Sequence, residues 1–120
     1  MTALSFLPRF EVRLGRLARH GVDVGGRPIF VQKRVDTMIG VDMALLAGKG
    51  RVDRIGLLSG DSDYLPAIEA VKREGVLAVL WHGRLGSRVG PSRELFEACD
   101  ERRELTPELF QAASKGSPHA

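Results

Sequence analysis

The stretch Arg54–Gly75, R-I-G-L-L-S-G-D-S-D-Y-L-P-A-I-E-A-V-K-R-E-G, decides the fold. It begins as a short apolar run, Ile55 to Leu58, and breaks at Ser59-Gly60. Two aspartates follow, Asp61 and Asp63, and then the pattern turns helical. Leu65, Ile68 and Val71 recur every three residues with Ala67 and Ala70 beside them, which predicts one buried helix face. Gly75 stands just past Lys72-Arg73-Glu74, where a glycine ends a helix. Val76 to Trp81 is a second apolar run with strand character. Strand, turn, helix, strand is a βαβ unit, so the two strands run parallel with a right-handed crossover.

Ligands of open α/β sheets bind outside the carboxyl ends of the strands. Asp61 and Asp63 fall at that end of the first strand. One of them would suffice as an N-cap for the next helix. Ser59, Asp61, Ser62 and Asp63 offer more polar side chains than capping requires, so the stretch reads either as a cap or as an acidic site.

Working outward, Phe10-Glu11-Val12-Arg13-Leu14 alternates apolar and charged residues and reads as a strand. Leu4, Leu7, Leu14, Leu17 and Ala18 also suit helical spacing, although Pro8 and Gly15 oppose a long helix. His20 to Pro28 is a loop by composition, and Ile29-Phe30-Val31 is a brief apolar run. A helix follows to Ala47, with Asp36 as its N-cap and Gly48-Lys49-Gly50 as its end. Met38, Val41 and Leu45, with Ile39 and Leu46, supply its apolar face. Asp42 lies among these apolar neighbours, where an unpaired carboxylate is costly to bury. It either turns sideways to solvent or faces a cleft and binds a cation. Asp36 and Asp42 are six apart, about 120° around an ideal helix, so they need not share a face.

Beyond Trp81, His82 to Pro91 is a glycine-rich basic loop without a phosphate-cradling pattern. Ser92 to Cys99 reads as a short helix capped by Ser92, with Leu95, Phe96 and Cys99 facing inward. Asp100 to Arg103 reads as a charged turn, Glu104 to Thr106 as an edge strand, and Glu108 to Ala113 as one helical turn. One domain over residues 1–111 and a flexible tail over 112–120 are expected.

The 120 residues carry a formal charge of +3, which permits a nucleic-acid partner without requiring one. Cys99 is the only cysteine, so an intramolecular disulfide is excluded and a reducing, cytoplasmic location is expected. Pro8 and Arg9 interrupt the apolar residues of the first ten, which therefore do not read as a signal peptide. No run approaches the length of a membrane span.

Carboxylates converging on one cleft repel each other unless a cation lies between them. Oxygen-only donors suit a hard ion such as Mg²⁺ or Mn²⁺, which activates water and neutralises phosphodiester charge. His20, His82 and His119 have no ligand spacing. A phosphatase with its nucleophile in Asp61-Ser62-Asp63 fits poorly, because Ser59-Gly60 separates the first aspartate from the strand.

Two separated blocks carry a resemblance. Lys33, Val35-Asp36 and Asp42 form the first; Ser59-Gly60-Asp61-Ser62-Asp63-Tyr64 is the second. In residues and spacing they resemble the NYN domain, LabA-like branch, of the PIN-like nucleases. The resemblance implies a three-layer α/β/α, Rossmann-like fold with a mostly parallel sheet, a carboxylate cluster binding Mg²⁺ or Mn²⁺, and RNA cleavage. It implies Asp42, Asp61 and Asp63 as catalytic and metal-binding residues. Asp36, Lys33 and Ser59 are implied as additional site residues, and Phe10–Leu17 as a strand. The family pattern also begins with a strand ending in an aspartate, and residues 1–9 contain neither Asp nor Asn. An N-terminally incomplete sheet is therefore expected, whose free edge invites a homodimer. An RNA-binding module without turnover is the alternative function.

Overall fold

A computed structural model describes residues 8–9, 11–12, 14, 16–33 and 35–115. The chain divides into two compact units, Met1–Ile39 and Gly40–Ala120.

The first unit holds an antiparallel hairpin of β1 (Arg16–Val22) and β2 (Pro28–Lys33). Its connection is built by Asp23, whose Oδ1 accepts hydrogen bonds from the Gly25 and Arg27 amides at 2.8 and 2.9 Å. Asp side chains favour such turns because they mimic a backbone acceptor. Gly26 adopts φ +80°, a conformation that side chains with a Cβ rarely take. The register shifts between Arg19 and Val22, where Gly21 has φ +85° and forms an irregularity of the kind glycine permits. Helix α1 (Val35–Gly48) begins here and continues into the second unit.

The second unit is the expected βαβ unit, extended by one further strand. Strands β3 (Arg54–Leu58), β4 (Leu77–His82) and β5 (Glu101–Glu104) form a parallel sheet in that order. A single 3₁₀ turn, Ser62–Tyr64, leads from β3 into α2 (Leu65–Arg73). Helix α3 (Arg93–Ala98) precedes β5, and α4 (Pro107–Lys115) follows it. The result is a mixed α/β fold with a parallel sheet flanked by helices.

The core of this unit follows the spacing seen in the sequence. Ile68 and Val71 of α2 are fully buried, as are Ala78 and Leu80 of β4 and Leu95 of α3. Ala78, Leu80 and His82 share one face of β4 because side chains alternate along a strand. His82 meets the Phe96 ring of α3 edge-on at 5.4 Å between centroids, so α3 packs on that face. Each large side chain buried there contributes about 1.5–3 kcal/mol of transfer free energy. Ser92 caps α3 by accepting from the Leu95 amide at 3.2 Å, and Gly75 ends α2 with φ +77°.

Several expectations are corrected. The strand expected over Phe10–Leu17 is displaced: Glu11, Val12 and Leu14 are not in a strand, and β1 begins at Arg16. Phe10 itself lies outside the described residues. The loop expected over His20–Pro28 shrinks to the turn after Val22, because β1 runs on to Val22, which pairs with Pro28 of β2 beyond the irregularity at Gly21. Asp36 falls inside the first turn of α1, which starts at Val35, and so is not its cap. The buried positions of α1 are Met43 and Ala47, whereas Val41, Leu45 and Leu46 are 45–57% exposed. Glu101–Glu104 is a strand where a charged turn was expected, and the strand expected over Glu104–Thr106 ends at Glu104. The ladder from Val79↔Glu101 to His82↔Glu104 satisfies its backbone although its sequence has no apolar residue. Helix α4 runs nine residues rather than one turn and takes in part of the expected tail. Residues 116–120 lie outside the described residues.

Candidate functional site

The parallel sheet brings one turn to the carboxyl end of β3. The ladder continues one residue past the strand, with the Ser59 amide donating to the Trp81 carbonyl at 3.3 Å. Ser59 Oγ then accepts from the Asp61 amide at 3.1 Å. Asp61 Oδ1 accepts from the Asp63 amide at 2.9 Å, and its carbonyl accepts from the Tyr64 amide at 3.2 Å. Ser59 and Asp61 thus each cap the amide two residues on, which is why Ser-x-Asp-x-Asp folds here into a tight turn. Buried Tyr64 anchors the turn to the core, and Pro66 sits at the start of α2, where its missing amide costs nothing. Asp61 and Asp63 are exposed. Neither histidine nor cysteine lies in this turn, so it offers oxygen donors only, the set preferred by hard divalent cations.

The other candidates come from other elements of the chain. Asp42 is half-buried on the part of α1 that belongs to the second unit. A Cβ on Gly40 would lie 3.6 Å from the Ala67 Cβ, so this part of α1 runs close to α2. Asp36 is exposed in the first turn of α1, and Lys33 ends β2; both belong to the first unit. Thus Asp61, Asp63 and Ser59 share one turn.

The glycine-rich basic loop has a role that its composition did not disclose. A Cβ on Gly60 would stand 2.8 Å from the Gly90 carbonyl oxygen. One on Gly83 would meet the Val89 carbonyl oxygen at 2.6 Å, and one on Gly90 the Arg84 carbonyl oxygen at 2.6 Å. The Ser92 amide donates to the Gly60 carbonyl at 2.9 Å. Glycine is thus required at three positions by close backbone approach. These contacts seat the loop, with exposed Arg84 and Arg88, directly on the residue before Asp61. The recurrence of glycine among arginines was the available signal.

The NYN domain family profile matches residues 8–106 of the chain. The chain belongs to the NYN domain family. This family lies within the PIN-like nuclease superfamily, so the NYN domain carries its acidic turn on a nuclease-type fold. No curated protein and no solved structure matches the chain. Among the described residues no helix is long and apolar enough to cross a membrane.

Proposed function

We propose that this NYN domain is a metal-dependent ribonuclease that hydrolyses RNA phosphodiester bonds. Asp42, Asp61 and Asp63 are the proposed catalytic and metal-holding residues, with Asp36, Lys33 and Ser59 as additional contributors. The observation that carries this reading is the Ser59–Asp63 turn, which leaves two exposed carboxylates at the carboxyl end of a parallel strand. The oxygen-only donor set fits Mg²⁺ or Mn²⁺. A bound ion of this kind supplies water activation and charge neutralisation on the phosphodiester. The chain's own residues do the rest. Ser59 fixes the Asp61 backbone, Asp61 and Asp63 hold negative charge at the strand end, and Arg84 and Arg88 attract the phosphate backbone.

Within the family, the Ser-Gly-Asp-Ser-Asp-Tyr motif supports assignment to the LabA-like branch. We read residues 1–111 as one domain and the cytoplasm as its compartment, since its only cysteine suits a reducing environment. Strand β3 ends the three-stranded sheet of the described residues, and this edge supports a homodimer. A single monomeric species at high concentration in sedimentation would remove the dimer.

The test of the ribonuclease is cleavage of a labelled single-stranded RNA in Mn²⁺. The wild-type chain is expected to cut it, EDTA to stop the reaction, and Asp61→Asn to lower the rate about a hundred-fold or more. RNA binding without cleavage in either Mg²⁺ or Mn²⁺ would replace this reading with a non-catalytic RNA-binding module.

A further inference from the structure

The carboxyl end of the sheet also holds a groove of about 470 Å³, beside the acidic turn. That is within the roughly 300–1,000 Å³ of small-ligand sites. Leu58, Trp81, Val89, Leu105 and Phe110 line it, with Arg84 at its wall. Three of these side chains are unusually exposed for their type: Leu58 at 68%, Val89 at 72% and Phe110 at 62%. The Arg103 guanidinium lies 5.7 Å from the centre of the Trp81 ring, and Arg88 is exposed on the same loop as Arg84. Ser59 and Gly60 belong to the groove and run straight into Asp61.

An apolar groove with two aromatic side chains suits a flat ring system. Arginines around it suit the phosphates that such a ring carries in a nucleic acid. We propose that this groove is a nucleobase subsite, in which an unpaired base of single-stranded RNA packs against Trp81 and Phe110 while Arg84 and Arg88 take the flanking phosphates. A base held in a duplex stack has no free face to offer the groove, so the subsite selects single strands. The backbone leaving the groove passes Gly60 and brings the adjoining phosphodiester to Asp61. The proposal rests on the ribonuclease reading for the identity of the ligand as RNA, and it goes further by naming what holds the base.

Trp81 is the only tryptophan, so its fluorescence reports on the groove alone. The experiment titrates the full chain in EDTA, where no cutting occurs, with a uridine 12-mer, the same strand in a duplex, and an abasic 12-mer of equal charge. The single strand is expected to quench Trp81, and the duplex and abasic strand to leave it unquenched. Phe110→Ala is expected to weaken single-strand binding about five- to a hundred-fold. Its urea midpoint should stay unchanged, because the side chain is mostly in solvent. Equal quenching by all three strands, or wild-type affinity in Phe110→Ala, would overturn the proposal. Cleavage in Mn²⁺ without base-dependent quenching removes the subsite and leaves the ribonuclease. Base-dependent quenching without cleavage removes the ribonuclease and keeps the subsite.

Discussion

The two ends of the parallel sheet both carry aspartates, and they use them differently. At the amino end, Asp100 Oδ2 accepts from the amide of fully buried Ala78 at 2.8 Å, and the Asp100 amide returns a bond to the Ala78 carbonyl at 2.9 Å. Lys72 Nζ stands 3.9 Å from Asp100 Oδ1 and donates to the Ala98 carbonyl at 2.8 Å. That carboxylate is consumed by the fold. At the carboxyl end, Asp61 Oδ1 accepts from the Asp63 amide within one turn, and both residues are exposed. The lesson is that acidity alone does not mark a site. What matters is whether the backbone and a neighbouring cation have already engaged the oxygens.

The contrast rests on a shared packed layer, and breaking that layer should have the largest effect. Leu80→Ala, in the centre of β4, is expected to cost about 2–5 kcal/mol in urea unfolding. A cost below 1 kcal/mol would mean that the ends are not held by this layer. Next in size is Asp100→Ala, which strands the buried Ala78 amide. It should cost about 1–3 kcal/mol of stability while the folded protein keeps its RNA cleavage rate. Ser92→Ala removes the α3 cap next to the loop seated on Gly60, and about 1 kcal/mol is expected. Asp61→Asn sharpens the comparison most directly. The amide oxygen can still cap the turn, so stability should move by less than about 0.5 kcal/mol while cleavage is lost. A stability loss as large as that of Asp100→Ala would erase the difference between the two ends.

The smallest expected effect concerns Cys99, next to Asp100. Burial pushes its thiol above the usual 9.0, the Asp100 charge adds to this, and Arg102 and Lys72 oppose it. A raised folded value means that the folded state holds the proton more tightly. The contribution is therefore fully present below the unfolded value and is lost as pH rises through the folded one. Urea midpoints of the wild type should fall relative to Cys99→Ala as pH rises above 9. Parallel curves for the two proteins would refute the linkage.

Much of the second unit was legible because its elements carry their own periodicity. Ile68 and Val71 declared the inner face of α2, and Ser92 and Gly75 declared helix ends. The misreadings fall where a partner decides. In Glu101–Glu104 the strand has no apolar pattern, and only the ladder with β4 reveals it. In α1, Val41, Leu45 and Leu46 repeat at helical spacing yet are exposed, because the packing surface selected Met43 and Ala47 instead. Hairpin pairing sets β1 at Arg16–Val22, whereas Glu11, Val12 and Leu14 of the expected strand are not in one.

The candidate site divides along the same line. Ser59, Asp61 and Asp63 were legible because one short turn holds them, with the Ser59 and Asp61 side chains bonding amides two residues on. Residue order along the chain was enough to define the βαβ unit, its acidic turn and the polarity that sets the turn at a strand's carboxyl end. Tertiary structure alone decided that Asp100 is spent on Ala78, that the loop of Gly83 and Gly90 closes on Gly60, and that Trp81 and Phe110 line one groove. Local hydrogen bonds and periodicity act over a few residues and are written in order along the chain. Contacts between residues some 20 to 30 positions apart depend on which surfaces the packed core brings together.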